Sequence, residues 1–244
     1  MNGRRVFSLV GLAVALLAAR PALADAITFS PADVGKSVTV AYNGLSDGQP
    51  IDALSGMATF TLTGIEDYSL TSGDFSTYSF DFSVTNTTSD GVYSTISSIA
   101  LRINPNLIFA GLANTDNFVF RNTAVYSSYP DSVGNVDVCF KTSDSNNCGD
   151  ATGGPAPGST VSHGFILGYA NPLSSLTIDD FLIGYQSITG AGNVHSAVGT
   201  GTIQNASGGT PIPEPGMLAL FGLAVAALGF RRRRASRAWV LESR

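Results

Sequence analysis

An all-β fold, an antiparallel β-sandwich of jelly-roll or immunoglobulin-like type, is predicted by three features of this chain. First, apolar and polar residues alternate with period two in several windows, the pattern of a half-buried strand. Tyr78, Phe80, Phe82 and Val84 share one face, and Ser79, Asp81 and Ser83 share the other. Second, turn-forming pairs punctuate the chain: Asn43-Gly44, Asp47-Gly48, Asp90-Gly91 and Asn104-Pro105. Third, charged residues make up only 13% of the chain while glycine reaches 27 residues. That charged share is about half the usual one, and such a composition suits strands joined by turns.

The same alternation marks strands within 38–42, 57–63, 99–103, 136–140, 161–169 and 181–187. About eight to ten short strands follow from this spacing. The glycine- and proline-rich stretch 149–159 reads as a loop or flexible insertion, not a domain boundary.

The two ends have a different grammar. Arg4 and Arg5 precede an apolar run over 6–19, and Ala22-Leu23-Ala24 forms a small-x-small cleavage site. This is the layout of a secretory signal peptide, expected as a helix and processed by signal peptidase after export through the secretion translocon. Cleavage after Ala24 leaves Asp25 as the first mature residue; cleavage after Ala26 is the alternative. At the other end, 204–210 reads as a flexible linker. Pro211-Ile212-Pro213-Glu214-Pro215-Gly216 follows, then an apolar run over 217–230, then Arg231, Arg232, Arg233 and Arg234. The prolines hold the segment extended. The run is expected to insert as a short helix with the arginines cytoplasmic, placing the central domain across the membrane.

The predicted plan is therefore a signal peptide at 1–24, a sandwich domain at 25–203, a linker at 204–210, a sorting signal at 211–234 and a cytoplasmic tail at 235–244. Between 25 and 210 the cations are Lys36, Arg102, Arg121 and Lys141, against sixteen carboxylates, a formal charge of −12. Such a surface repels phosphate backbones, so nucleic-acid binding is excluded as a function.

Pro213-Glu214-Pro215 followed by an apolar segment and the cluster Arg231 to Arg234 resembles the PEP-CTERM sorting signal of Gram-negative bacteria. The resemblance covers roughly the last 30 residues. It implies recognition by an exosortase, an integral-membrane cysteine transpeptidase, and association with exopolysaccharide production. It also implies passage through the inner membrane to the periplasm, outer surface or biofilm matrix. The ten residues after the arginines make a longer tail than the family pattern suggests. The middle of the chain is similar to the cistern subgroup of such proteins, at Pro31-Ala32-Asp33-Val34-Gly35-Lys36, at Val138-Cys139-Phe140 with Cys148, and at Tyr185-Gln186-Ser187.

Candidate chemistry in the middle is sparse. Cys139 and Cys148 form an even pair in an exported chain and are expected to be disulfide-bonded. His163 and His195 lack the converging partners of a metal site, and no metal or cofactor is expected. His163 is expected at the core edge. Asp144 and Asp150 are loop carboxylates that could serve a calcium-dependent adhesive module. Asp179-Asp180 and Glu66-Asp67 are the carboxylates a matrix glycoside hydrolase would draw on. Neighbours on a strand face opposite ways, so neither pair is a ready dyad. Asn86-Thr87-Thr88 and Asn205-Ala206-Ser207 match the glycosylation sequon, a pattern chance produces readily. Tyr93, Tyr126 and Tyr129 fall in turn-like segments and are the aromatic candidates for stacking on sugar rings. The expectation is a non-catalytic exported surface or matrix protein, with a polysaccharide-binding module and a matrix hydrolase as alternatives.

Overall fold

The computed structural model describes residues 26–70, 73–89, 91–113, 119–131, 133–144, 147–150 and 152–212. The signal segment, Pro213-Glu214-Pro215, the apolar run and the arginine block lie outside them, as do the two flanking helices expected there. Among the described residues no helix is long and apolar enough to cross a membrane.

Fourteen antiparallel strands are described. They are β1 (Ala26–Phe29), β2 (Ser37–Tyr42), β3 (Leu45–Ser46), β4 (Gln49–Pro50), β5 (Gly56–Leu70), β6 (Gly73–Asn86) and β7 (Tyr93–Asn104). The remainder are β8 (Phe109–Ala113), β9 (Asn122–Tyr129), β10 (Gly134–Lys141), β11 (Thr160–Tyr169), β12 (Leu176–Thr189), β13 (Ala197–Ala206) and β14 (Thr210–Ile212). Every window of alternation falls inside a strand, and Tyr78, Phe80, Phe82 and Val84 are each at most 1% exposed.

The expected two-layer sandwich differs from what the ladders trace. One hydrogen-bonded path runs β8-β11-β6-β5-β2-β13-β12-β7-β10-β9. It stays continuous because β13 pairs with β12 through Ala197 to Thr200 and with β2 through Gly201 to Ala206. The corner of β13 depends on glycine. A Cβ at Gly199 would lie 2.2 Å from the Asn43 carbonyl oxygen, and one at Gly201 would lie 2.4 Å from Val40 Cγ1. The sheet is thus nearly closed and barrel-like, and its terminal strands β8 and β9 lie against each other without a ladder between them.

Aromatic rings fill the interior from both arms of this sheet. The Phe165 ring on β11 lies 4.6 Å from Phe140 on β10 and 5.2 Å from Phe80 on β6. Phe60 on β5 lies 5.2 Å from Phe181 on β12. Strands far apart along the hydrogen-bonded path therefore meet through side chains, at separations typical of favourable ring pairs.

A smaller apolar cluster of Ala100, Tyr129, Val136, Leu182 and Val198 includes both cysteines, which are bonded to each other. The bond fixes the 3₁₀ turn Cys148–Asp150 to β10. The chain-entropy model assigns a loop this short about 2–3 kcal/mol. Replacing both cysteines by alanine is expected to lower unfolding free energy by about that amount, read by urea titration at fixed pH.

The loop within 149–159 is pinned to the sheet at Pro155. Asn86, fully buried, donates through Nδ2 to the Pro155 carbonyl at 3.0 Å and to the Ser94 carbonyl at 3.0 Å, and its Oδ1 accepts from the Thr88 amide at 3.0 Å. The Ile96 amide also donates to the Pro155 carbonyl, at 3.2 Å. Gly154 makes this approach possible, since a Cβ there would fall 1.8 Å from the Ile96 carbonyl oxygen.

Candidate functional site

The first and last described residues, Ala26 and Ile212, are paired with each other. β1 pairs with β12 on one side and with β14 on the other, in the register Ala26 to Ile212, Ile27 to Pro211 and Thr28 to Thr210. Pro211 cannot donate to a ladder and is tolerated because β14 is an edge strand among the described residues. The stretch 204–210 is correspondingly not a flexible linker. Gln204, Asn205 and Ala206 belong to β13, and Thr210 opens β14. Ala26 is already a paired strand residue, so cleavage after Ala24 preserves β1 whole, whereas cleavage after Ala26 removes its first residue.

Asp33 ties this corner together. Its carboxylate accepts the Gly209 amide at 2.9 Å, the Ser30 amide at 2.9 Å and the Ser30 hydroxyl at 2.7 Å. Lys36 Nζ lies 3.5 Å away, in an exposed pair of little energetic weight. The Gly209 amide, then Ser30, hold the carboxyl well below the usual carboxylate range. A carboxyl depressed on folding contributes its stability fully above the unfolded value, near 3.9, and loses it as pH falls through the lower folded value. Asp33→Ala is expected to cost about 1 kcal/mol through the lost turn cap. It should also speed amide exchange at Gly209 and remove the acid-side loss of protection there, read by hydrogen exchange at pH 6 and pH 3.

The sequence-predicted aromatic candidates separate. Tyr129 is 3% exposed and its hydroxyl lies 3.0 Å from Ser98 Oγ, so it packs in the structure and cannot stack on a ligand. Burial raises its pKa well above the ordinary tyrosine value. Tyr93 is exposed on β7 opposite Thr189. Tyr126 is exposed on β9 and donates its hydroxyl to the Leu107 carbonyl, bridging the seam toward β8.

Other candidates are held in structural roles. Asp180 pairs with Arg102 at 2.6 Å, and Arg102 also donates to the Val133 and Asn135 carbonyls. Glu66 accepts the Tyr68 hydroxyl. Asp144 accepts from Asn122 Nδ2, while the side chain of Asp150 is outside the described set. His163, expected at the core edge, is buried and stacked on Phe82, with Nδ1 2.8 Å from the Gly164 carbonyl. His195 is exposed. Among the described residues no group of three or more His, Cys, Asp or Glu converges on a metal position. Asn86 is saturated inside the protein and offers no amide to a glycan; Asn205 is exposed.

The outer face of β5, β6, β11 and β8 carries aromatic groups that alternation alone does not single out. Odd-numbered residues of β6 from Phe75 to Thr85 face outward, opposite the buried Tyr78, Phe80, Phe82 and Val84. Tyr68 on β5 is paired with Phe75, and their rings stack at 4.4 Å with 9° between planes. The hydrogen bond to Glu66 pushes the Tyr68 hydroxyl above its ordinary pKa, keeping it protonated. Phe109 on β8, 41% exposed, lies over Gly168 of β11, where a Cβ would come within 2.0 Å of its ring.

Two shallow hollows open on this face. One, of about 430 Å³, is lined by Asp74, Phe75, Ile108, Phe109, Ala170 and Asn171, with Gly73 at its edge. The other, of about 390 Å³, is lined by the polar side chains of Thr59, Thr61, Asp81, Ser83 and Ser162, together with Gly164 and the buried Phe82 and His163. None of Lys36, Arg102, Arg121 and Lys141 lines either. No regularity of spacing marks Phe109, because it lies in a short strand whose other members are Ala, Gly and Leu.

No curated protein and no solved structure matches the chain. Residues 211–234 match the PEP-CTERM protein-sorting motif, which marks the chain as an exported protein sorted through that C-terminal signal by an exosortase.

Proposed function

We propose that the mature protein is a non-catalytic component of the cell surface or extracellular matrix, tethered in the inner membrane by its tail until the exosortase acts, and then associated with exopolysaccharide. The sorting motif at 211–234 carries this reading. Its first residues, Pro211 and Ile212, are part of the sheet, so the address is joined directly to the domain it delivers. Two of the four carboxylates a hydrolase would draw on are engaged elsewhere, Asp180 with Arg102 and Glu66 with Tyr68, which supports a non-catalytic role. The cistern-like segments fall in the 3₁₀ turn Pro31–Asp33 with the residues after it, in β10 with the disulfide-bonded turn at Cys148, and in β12.

Fractionation of host cells tests the proposal. The protein is expected in the matrix fraction, and in cells blocked in exopolysaccharide synthesis it is expected to move to the medium. Steady-state residence of the intact chain in the inner membrane would contradict the reading.

A further inference from the structure

We infer that the outer face of β5, β6, β11 and β8 is a binding face for a neutral polysaccharide. A sugar ring seats against Phe75 and Phe109 in the aromatic hollow, and the chain runs along β6 toward the hollow lined by Thr59, Asp81 and Ser162. The inference deepens the matrix reading and rests on it for the ligand's presence.

The chemistry of the face selects this occupant. A pyranose ring presents an apolar C–H face and a polar rim of hydroxyls. Exposed aromatic faces take the first, and a few polar groups at the edge fix orientation through the second. Phe75 is braced by its stack on Tyr68, whose hydroxyl is fixed by Glu66. Phe109 packs closely over Gly168, a position where any side chain would collide with its ring. Asp74 and Asn171 stand at the rim of the hollow. The Asn171 backbone is anchored where its carbonyl accepts the Ser76 hydroxyl at 3.0 Å. Rigid placement of this kind reduces the ordering that binding would otherwise require.

The second hollow extends the face. Phe75 and Asp81 are six residues apart on one strand, about 20 Å, which is longer than a single sugar ring. Its lining hydroxyls and one carboxylate can exchange hydrogen bonds with successive sugars. Charge decides between polymers. Asp74 and Asp81 line the hollows, with no lysine or arginine in either lining. An anionic polymer would meet uncompensated repulsion, and a neutral one would not.

Affinity electrophoresis of the processed protein through gels containing a neutral glucan, galactan or mannan, with a polyuronate for comparison, tests the inference. At least one neutral polymer is expected to retard the protein, and the polyuronate is not. Phe109→Ala and Phe75→Ala are each expected to weaken retardation at least tenfold while thermal unfolding shows both variants folded. Phe109→Trp, which keeps an aromatic face, and Tyr93→Ala, elsewhere on the sheet, should retain it. Failure of every neutral polymer to retard, preference for the polyuronate, or indifference to both phenylalanine variants would overturn the inference. So would dimerisation abolished by Phe109→Ala, which would assign the patch to a second copy. Matrix fractionation separates the two readings: a wild-type protein absent from the matrix sinks the matrix proposal, whereas a wild-type and a Phe75/Phe109 double variant equally present in it sink only this site.

Discussion

Replacing Pro213, Glu214 and Pro215 together by alanine is expected to leave the C-terminal tail on essentially all of the protein. The resemblance of this triplet to the exosortase recognition sequence and the match at 211–234 supply the reason. The physical side is the restriction that proline places on the backbone. Proline fixes φ and disfavours a helical conformation at the preceding residue, so the triplet resists becoming the continuation of a helix. Three alanines, the best helix formers, remove that barrier. The variant should accumulate in the inner-membrane fraction at the mass of the signal-cleaved, tail-bearing chain, visible by immunoblot. The domain itself should be unaffected, since β14 ends at Ile212.

The second large effect lies in the core. Phe165→Ala is expected to destabilise the domain by about 3–5 kcal/mol, the range for removing a buried phenylalanine. Phe165 is 1% exposed, and its ring meets Phe60, Phe80, Phe82 and Phe140 within 6.5 Å. Because Phe140 belongs to the opposite arm of the sheet, the cavity would separate the two arms instead of thinning one face. For a domain of this size the melting temperature should fall by about 6–20 °C, measured by calorimetry with the disulfide intact. A drop of a degree or two would mean that the arms are held by their ladders, not by the ring cluster.

Strand existence was legible in the sequence because alternation is a direct consequence of one wet and one buried face. Tyr78 to Val84 illustrates it, and the inward set there is the buried set. Closure was not legible. Sandwich and barrel-like sheets impose the same period on each strand, and the difference here depends on β13 pairing at both edges through Gly199 and Gly201. β1, β3, β4 and β14 are four residues or fewer, too short to show a period. The linker reading of 204–210 failed for a related reason. Glycine and serine signal a turn, but the Asp33 carboxylate that captures Gly209 lies 176 residues away in sequence.

The candidate site divides in the same way. The sorting triplet and the cysteine pair are local patterns and could be read directly. The exposed tyrosines could not: Tyr129 has the same local surroundings as an exposed turn residue, yet Ser98 and the β10 side of the sheet bury it. Tyr68, Phe75 and Phe109 come from three strands and meet only once register is known.

Intact mass of the protein isolated from its native host tests the central claim most directly. The account predicts a chain that begins at Asp25, with β1 complete, and ends near Pro215, with the apolar run and the arginines removed. A mass that retains residues 217–244 would contradict it, leaving a membrane-anchored domain with the sheet described above and no exosortase processing.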